Sequence, residues 1–171
     1  MADDLYGPHD DVYPLTVPGN IFEPKRQNRF FLKDDSNNIP AWIVRTASRP
    51  STTTDSIEID YLNTKRYLAG KTIWNTISLG LYDPITPSAA QAIMNWIRLQ
   101  YETLTGRAGY PDFYKKDLNL ELIDPVGASK ENWQIKGAFI TEATFGDLDY
   151  ASADPVTVDI TIQPDSCILE Y

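Results

Sequence analysis

Alternation of apolar and polar residues in short segments is the feature that most limits how this chain can fold. Residues 57–63, 76–83 and 156–162 carry apolar side chains at every second position. A period of two places the apolar side chains on one face of a β-strand and the polar ones on the other. In residues 57–63 we interpret the Ile-rich face as core. Further strands are predicted at residues 29–33, 41–47, 117–125 and 132–145, the last with a bulge at Gly137.

One segment departs from this pattern and predicts a helix from about residue 88 to residue 104. Thr86 or Ser88 can cap its start, and Gly106 ends it. Apolar residues at spacings of three and four form a stripe that we interpret as packing on a sheet: Ala90, Ile93, Met94, Ile97, Tyr101 and Leu104. The fold class that follows is mainly β, an antiparallel β-sandwich or barrel of six to eight strands with one flanking α-helix.

The two ends of the chain differ in organisation. Residues 1–27 are interrupted by four prolines and two glycines, which predicts an extended N-terminal arm. We expect residues 28–171 to form a single β-sandwich domain. Within it, residues 48–56 are rich in Ser, Thr and Pro and predict a protruding loop, and Gly70 predicts a turn. The N-terminus does not have the pattern of a signal peptide, and no apolar run is long enough for a membrane anchor, so we expect synthesis and folding in the cytosol.

Composition argues against most catalytic chemistries. His9 and Cys167 are the only histidine and cysteine. The chain therefore lacks most of the residues that a zinc site or a nucleophile–histidine pair requires. No glycine-rich phosphate loop is present. Three carboxylates occur within eight residues, about as close together in sequence as calcium ligands: Asp147, Asp149 and Asp154. Their spacing does not match an EF-hand loop. A solvated turn is the simpler interpretation. We predict no enzyme activity, no cofactor and no metal site.

Charge is distributed unevenly along the chain. The net charge is −9, which disfavours a protein that grips DNA or an anionic membrane. All 15 Lys and Arg residues lie between Lys25 and Lys136, and both ends carry only acids. This pattern is compatible with solubility alone. It is also compatible with head-to-tail assembly, in which acidic ends meet a neighbour's basic middle.

Several segments together resemble the tail tube protein of contractile-tailed bacteriophages. They are "NRFFLKDD", "YLAGKTIWNTISLGL", the W-x-I-x-G-x-F passage at residues 133–139, and "GDLDYASADPVTVDITI". The resemblance covers about residues 28–168, and it extends to the tubes of type VI secretion systems and R-type pyocins. None of these segments is a catalytic motif.

The resemblance implies a structural virion protein, with residues 28–171 as its single tail-tube domain. Six subunits would form a ring, and rings would stack into a hollow tube inside a contractile sheath that carries the genome into the host. The subunit would assemble in the host cytoplasm and become part of the tail tube. Its implied partners are further copies of itself, the sheath protein, the tape-measure protein, the baseplate tube initiator and the tail terminator. DNA would pass through the lumen without specific binding.

The resemblance also implies roles for particular residues. Polar strand faces with few cations suit either ordinary solvent or a pore wall that does not hold phosphates. The lumen-facing candidates are Glu58, Asp60, Ser78, Thr157, Asp159 and Thr161. The candidates for a loop between stacked rings are Arg45, Arg49, Ser51, Thr52, Thr53, Thr54 and Asp55. Asp147, Asp149 and Asp154 are interface candidates, and the arm would contact neighbouring subunits.

Two other functions remain open at this point. The first is a tube subunit of a type VI secretion or pyocin-like machine, which would share every feature above. The second is a β-sandwich module that binds carbohydrate or calcium. For that module, Tyr110, Phe113 and Tyr114 are the aromatic side chains that could stack on a sugar ring. The same side chains could instead cover a helix end or a subunit interface.

Overall fold

The computed structural model describes residues 24–34 and 39–170, so most of the predicted arm lies outside the described residues. Nine strands and two α-helices occur in these ranges, with a 3-10 helix at Ala41–Ile43. The strands are β1 (Phe30–Asp34), β2 (Val44–Ala47), β3 (Thr52–Tyr61), β4 (Thr64–Trp74), β5 (Ile77–Tyr82), β6 (Lys116–Ile123), β7 (Ser129–Thr144), β8 (Thr157–Gln163) and β9 (Ser166–Glu170). The helices are α1 (Ala89–Gln100) and α2 (Pro111–Tyr114).

All strand pairs are antiparallel, and the long strand β7 joins two sheets. The first sheet pairs β1 with β6, β6 with β7, and the first half of β7 with β9. The second sheet pairs the last part of β7 with β8, β8 with β5, and β5 with β2. The sheets do not close into a barrel. The predicted mainly β, sandwich-like fold with one flanking helix is therefore confirmed.

The transfer of β7 between the sheets occurs at Gly137. This glycine has φ +64, and a Cβ there would lie 2.4 Å from Oδ2 of Asp165. Any other residue would be strained in this backbone conformation and would also collide with Asp165. The register between β6 and β7 shifts at this point, between Lys116 and Leu118. The bulge predicted at Gly137 is confirmed.

The core lies between the two sheets and under α1. The alternating residues of β5 and β8 are buried as predicted, and Leu118 and Leu120 of β6 join them. Each fully buried Leu or Ile contributes about 1.5–3 kcal/mol relative to an exposed one. The buried alternating residues of the second sheet are Ile77, Leu79, Leu81, Val158, Ile160 and Ile162.

The helix is shorter than predicted, and only part of the predicted stripe, Ala90, Ile93 and Ile97, packs against the core. It ends at Gln100 because Tyr101 turns to extended backbone and pairs with Ala108. Leu104, predicted to be part of the packed stripe, is 96% exposed. The side chains that enter the core are Ala89, Ile93 and Trp96.

The helix start agrees with the sequence. Ser88 caps it by accepting a hydrogen bond from the backbone N–H of Gln91 at 3.3 Å. Oδ1 of Asp83 accepts a second set of bonds, from the N–H groups of Ala89 at 2.8 Å and Ala90 at 3.2 Å. Together these acceptors satisfy backbone donors that have no partner within the helix.

Two predictions about residues 48–75 are wrong. Residues 52–56 do not belong to a protruding loop, because they form the first half of β3 and pair with β4. The turn is at Leu62, which has φ 53, and Gly70 lies within β4 beside a register shift. Thr is β-branched and favours strands, and the Oγ1 atoms of Thr54 and Thr72 hydrogen-bond across the pair at 2.8 Å.

Candidate assembly surfaces

The hairpin of β3 and β4 stands apart from both sheets. It forms its own two-stranded sheet, and every residue of β3 is exposed. A two-stranded hairpin without a packed face is marginally stable in water. The hairpin therefore needs a surface to pack on.

One face of the hairpin is apolar. Ile57 lies opposite Leu68, Ile59 opposite Arg66, and Tyr61 opposite Thr64. The four large apolar side chains Ile57, Ile59, Tyr61 and Leu68, here called the apolar hairpin face, are each 45–55% exposed. The interpretation of this Ile-rich face as core is wrong, since no described element of the chain covers it. Arg66 lies over the ring of Tyr61, 4.7 Å from its centroid.

The other hairpin face carries two of the lumen-facing candidates. Glu58 lies opposite Tyr67, and Asp60 lies opposite Lys65. Nζ of Lys65 donates a hydrogen bond to Oε2 of Glu58 at 2.6 Å. This face is polar but includes a cation, because β4 places Lys65 beside the two acids.

The remaining lumen-facing candidates lie together on the solvent face of the second sheet. Ser78 pairs with Thr161, Tyr82 with Thr157, and Gly80 with Asp159. Asp159 is joined by Arg45 of β2, with 3.4 Å between Oδ1 and Nη2. Sequence reasoning placed Arg45 in an inter-ring loop, whereas the order of strands β2, β5 and β8 brings it to Asp159. An exposed ion pair of this kind contributes little to stability.

The inter-ring candidates cluster at the base of the hairpin. Thr52, Thr53, Thr54 and Asp55 lie in β3, and Arg49 and Ser51 lie in the connection that precedes it. The side-chain amide of Asn75 donates hydrogen bonds to Oγ of Ser51 at 3.1 Å and Oγ1 of Thr53 at 3.0 Å. These bonds hold the two ends of the hairpin together.

A buried carboxylate ties the hairpin base to the sandwich. Glu131 near the start of β7 is 4% exposed and accepts hydrogen bonds from Lys25, Arg49 and Trp133. Burial alone would raise the pKa of this carboxyl. The hydrogen bonds from Lys25 and Trp133 and the charge of Arg49 outweigh burial and lower the pKa below its ordinary value of 4.5. Sequence reasoning missed this cluster because no local pattern connects residues so far apart in the chain.

Replacing Glu131 with Gln is expected to lower the free energy of unfolding by about 1–3 kcal/mol at pH 7, since charged hydrogen bonds are lost. The folded pKa is below the unfolded one. The ionised carboxylate therefore stabilises the fold above pH 4.5, and this stability is lost as the pH falls through the folded pKa. Urea unfolding at pH 7 and pH 3 should show the difference between variant and wild type shrinking at the lower pH. Glu142→Gln, at an exposed position, is the control. Equal effects of the two variants at pH 7 would contradict this role.

The three interface candidates lie in one loop after β7. We call residues 146–155 the acidic loop; it contains Asp147, Asp149 and Asp154. Oδ1 of Asp149 accepts a bond from the N–H of Ala151 at 2.9 Å, and Oδ2 of Asp154 accepts one from Oγ of Ser152 at 2.8 Å. Two of the acids thus order the loop itself. Within residues 24–34 and 39–170, no three potential metal-ligating side chains of His, Cys, Asp or Glu converge.

The aromatic side chains of the carbohydrate alternative do not form a flat platform. The rings of Tyr110 and Phe113 are 6.3 Å apart and inclined at 55°. Tyr114 packs edge-on against Phe139, and its carbonyl oxygen accepts a 2.6 Å hydrogen bond from Nε1 of Trp96. Tyr114 therefore anchors α1, while Tyr110 and Phe113 remain exposed. No helix in the described part of the chain is long and apolar enough to cross a bilayer.

Three solved structures show the same architecture. The anti-feeding prophage tube-terminating cap is 20% identical over 88% of this chain and 93% of its own, with a TM-score of 0.71. A chain of the sheath–tube complex of the extracellular contractile injection system PVC is 21% identical over 86% and 91%, with a TM-score of 0.68. A chain of the sheath/tube terminator of that system is 21% identical over 89% and 100%, with a TM-score of 0.71.

The chain has the fold of tube and tube-terminator proteins of contractile injection systems. The resemblance to tube proteins drawn from the sequence is confirmed at the level of fold. No protein-family model and no curated protein sequence matches the chain. At these identities the likeness concerns the fold alone.

Proposed function

We propose that this chain is the structural subunit of a tube, in which hexameric rings stack into a hollow conduit inside a contractile sheath. The apolar hairpin face carries the proposal. Its four large side chains are half exposed, and no described element covers them. An apolar face that the subunit leaves uncovered marks an interaction surface, which a repeating assembly requires.

A second copy is the occupant that best fits this face. Oligomers most often consist of identical subunits, and an unsupported strand pair can be completed by a neighbouring subunit. Covering the apolar face would remove Ile57, Ile59, Tyr61 and Leu68 from water in each subunit. The base of the hairpin, with Arg49 and residues 51–55, would then lie at the contact between rings.

The solvent face of the second sheet is the proposed lumen wall. Ser78, Thr157, Asp159 and Thr161 are polar, and Arg45 is paired with Asp159. A wall with few free cations does not retain a polyanion, because affinity for phosphates comes from Lys and Arg. DNA could therefore slide through without specific binding, as in the tail of a phage that ejects its genome into a host.

The proposed location is the tail tube of a virion, assembled in the host cytoplasm. The proposed partners are the sheath, the tape-measure protein, the baseplate tube initiator and the tail terminator. The comparisons with extracellular injection systems support the alternative of a tube, or tube end, that carries another payload. The structural role of the subunit is the same in both, and we propose no catalytic activity.

The mass of the purified protein in solution tests the proposal. A concentration series by sedimentation velocity or mass photometry is expected to show a species about six times the 19.3 kDa chain mass, and larger species at higher concentration. A protein that stays monomeric over the whole series would contradict the proposal.

A further inference from the structure

A basic cavity lies where the two sheets fail to close. It occupies about 480 Å³ between β1 and β2. Phe30 and Leu122 contribute to its apolar floor. Four cations surround it, here called the basic seam: Lys25, Arg26, Arg45 and Arg49.

The basic seam retains a surplus of positive charge. Among the described residues, Lys25 and Arg49 share one carboxylate, Glu131, and Arg45 is paired with Asp159. Among the described residues, the four cations of the basic seam are therefore paired with only two carboxylates. A ligand that carries acidic groups beside apolar ones would match both the rim and the floor of the cavity.

The acidic loop has the complementary chemistry. Leu148 lies between Asp147 and Asp149 and is 84% exposed. Tyr150, which follows Asp149, is fully exposed. The loop begins at Gly146, where φ is +70 and a Cβ would lie 2.7 Å from the carbonyl oxygen of Thr157. The hydrogen bond from Ala151 to Asp149 orders the middle of the loop.

The basic seam and the acidic loop are separate surfaces of the subunit. Glu131, which binds the seam cations Lys25 and Arg49, is the third residue of β7, and the acidic loop follows the last residue of that strand, Thr144. The residues that line the cavity of the basic seam and those that line the acidic loop do not overlap. A contact between two different surfaces of one subunit is head-to-tail, and such contacts produce rings or filaments.

We infer that the acidic loop of one copy docks on the basic seam of the next. Asp147 and Asp149 would pair with Arg26 and Arg45, and Leu148 or Tyr150 would cover Phe30 and Leu122. This inference rests on the proposed function and deepens it, since it names the charged contact by which successive copies associate and gives that contact a direction.

Two charge-reversed variants test the contact. The seam variant carries Arg26→Glu and the loop variant carries Asp147→Lys, which leaves the Asp149 turn and the Arg45–Asp159 pair intact. Each should need at least about tenfold more protein to assemble than the wild type, because a close charge pair across an interface becomes repulsive. Arg98→Glu matches the charge change of the seam variant at an exposed position on α1 and should assemble like the wild type.

A mixture and a combined variant show whether the two surfaces pair with each other. An equimolar mixture of the seam and loop variants should co-assemble, because the wild-type loop of one fits the wild-type seam of the other and the two reversed positions are again complementary. A chain that carries both changes should recover assembly for the same reason. Sedimentation velocity measures both results, and circular dichroism verifies that each variant is folded.

The outcomes separate this inference from the proposed function. If the wild type assembles and the two variants assemble equally well, the contact is wrong and the tube proposal stands. Failure of the mixture to co-assemble, or of the chain with both changes to recover, would also overturn the contact. A wild type that never assembles would contradict the proposed function and this inference with it.

Discussion

Replacing both Ile57 and Leu68 with threonine is expected to prevent ring and tube formation at concentrations where the wild type assembles, while leaving a folded monomer. These side chains lie opposite each other on the apolar hairpin face, and neither belongs to the core. Loss of about 2 kcal/mol of apolar burial at each subunit contact would raise the assembly concentration roughly thirtyfold. Threonine keeps the strand propensity of the hairpin, so its conformation should be preserved. Sedimentation velocity and thermal unfolding measure the two effects.

The matched control lies one residue away on the opposite face of the same hairpin. Glu58→Thr with Tyr67→Thr changes a pair directly opposite each other, also half exposed or more. This control should shift assembly far less than the apolar pair does. Wild-type assembly by the Ile57 and Leu68 variant would show that the apolar hairpin face is not a subunit contact.

Replacing Trp96 with alanine is expected to have the largest effect on stability, a loss of about 3–5 kcal/mol. Trp96 lies on the buried side of α1 and is 2% exposed. Its Nε1 donates a 2.6 Å hydrogen bond to the carbonyl oxygen of Tyr114. Its indole ring also lies 4.6 Å from Nζ of Lys116. Removing the ring would leave a cavity between the helix and the sheet and a buried carbonyl without its donor.

Urea unfolding measures this loss, and a second helix residue provides the control. Leu99→Ala removes a large apolar side chain that is 47% exposed, and it should cost within about 1 kcal/mol. Trp96→Phe keeps most of the volume and isolates the hydrogen bond. A loss below about 1.5 kcal/mol for Trp96→Ala would contradict the view that this side chain anchors α1.

Alternation predicted the core of the second sheet because one buried face leaves a period of two in any strand. It placed Ile77, Leu79 and Leu81 correctly. The same pattern at Ile57 and Ile59 indicated an apolar face correctly but could not show what covers it, since the period is identical whether the neighbour is this chain or another copy.

Local patterns were weaker where tertiary contacts decide the outcome. The helix stripe omitted Trp96 because the prediction continued the helix to Leu104. The helix ends at Gln100 because the backbone becomes extended at Tyr101, so Tyr101 and Leu104 do not lie on the helix stripe. Glu131 and its partners Lys25 and Arg49 could not be predicted, because the strand order alone brings them together. The composition of the acidic loop was visible in the sequence, but the grouping of Lys25, Arg26, Arg45 and Arg49 around one cavity was not.

Negative-stain electron microscopy of the purified protein over a concentration series tests the central claim most directly. The account predicts rings with a central hole that stack into tubes as the concentration rises. Featureless monomers at every concentration, or compact assemblies without a hole, would contradict a tube subunit.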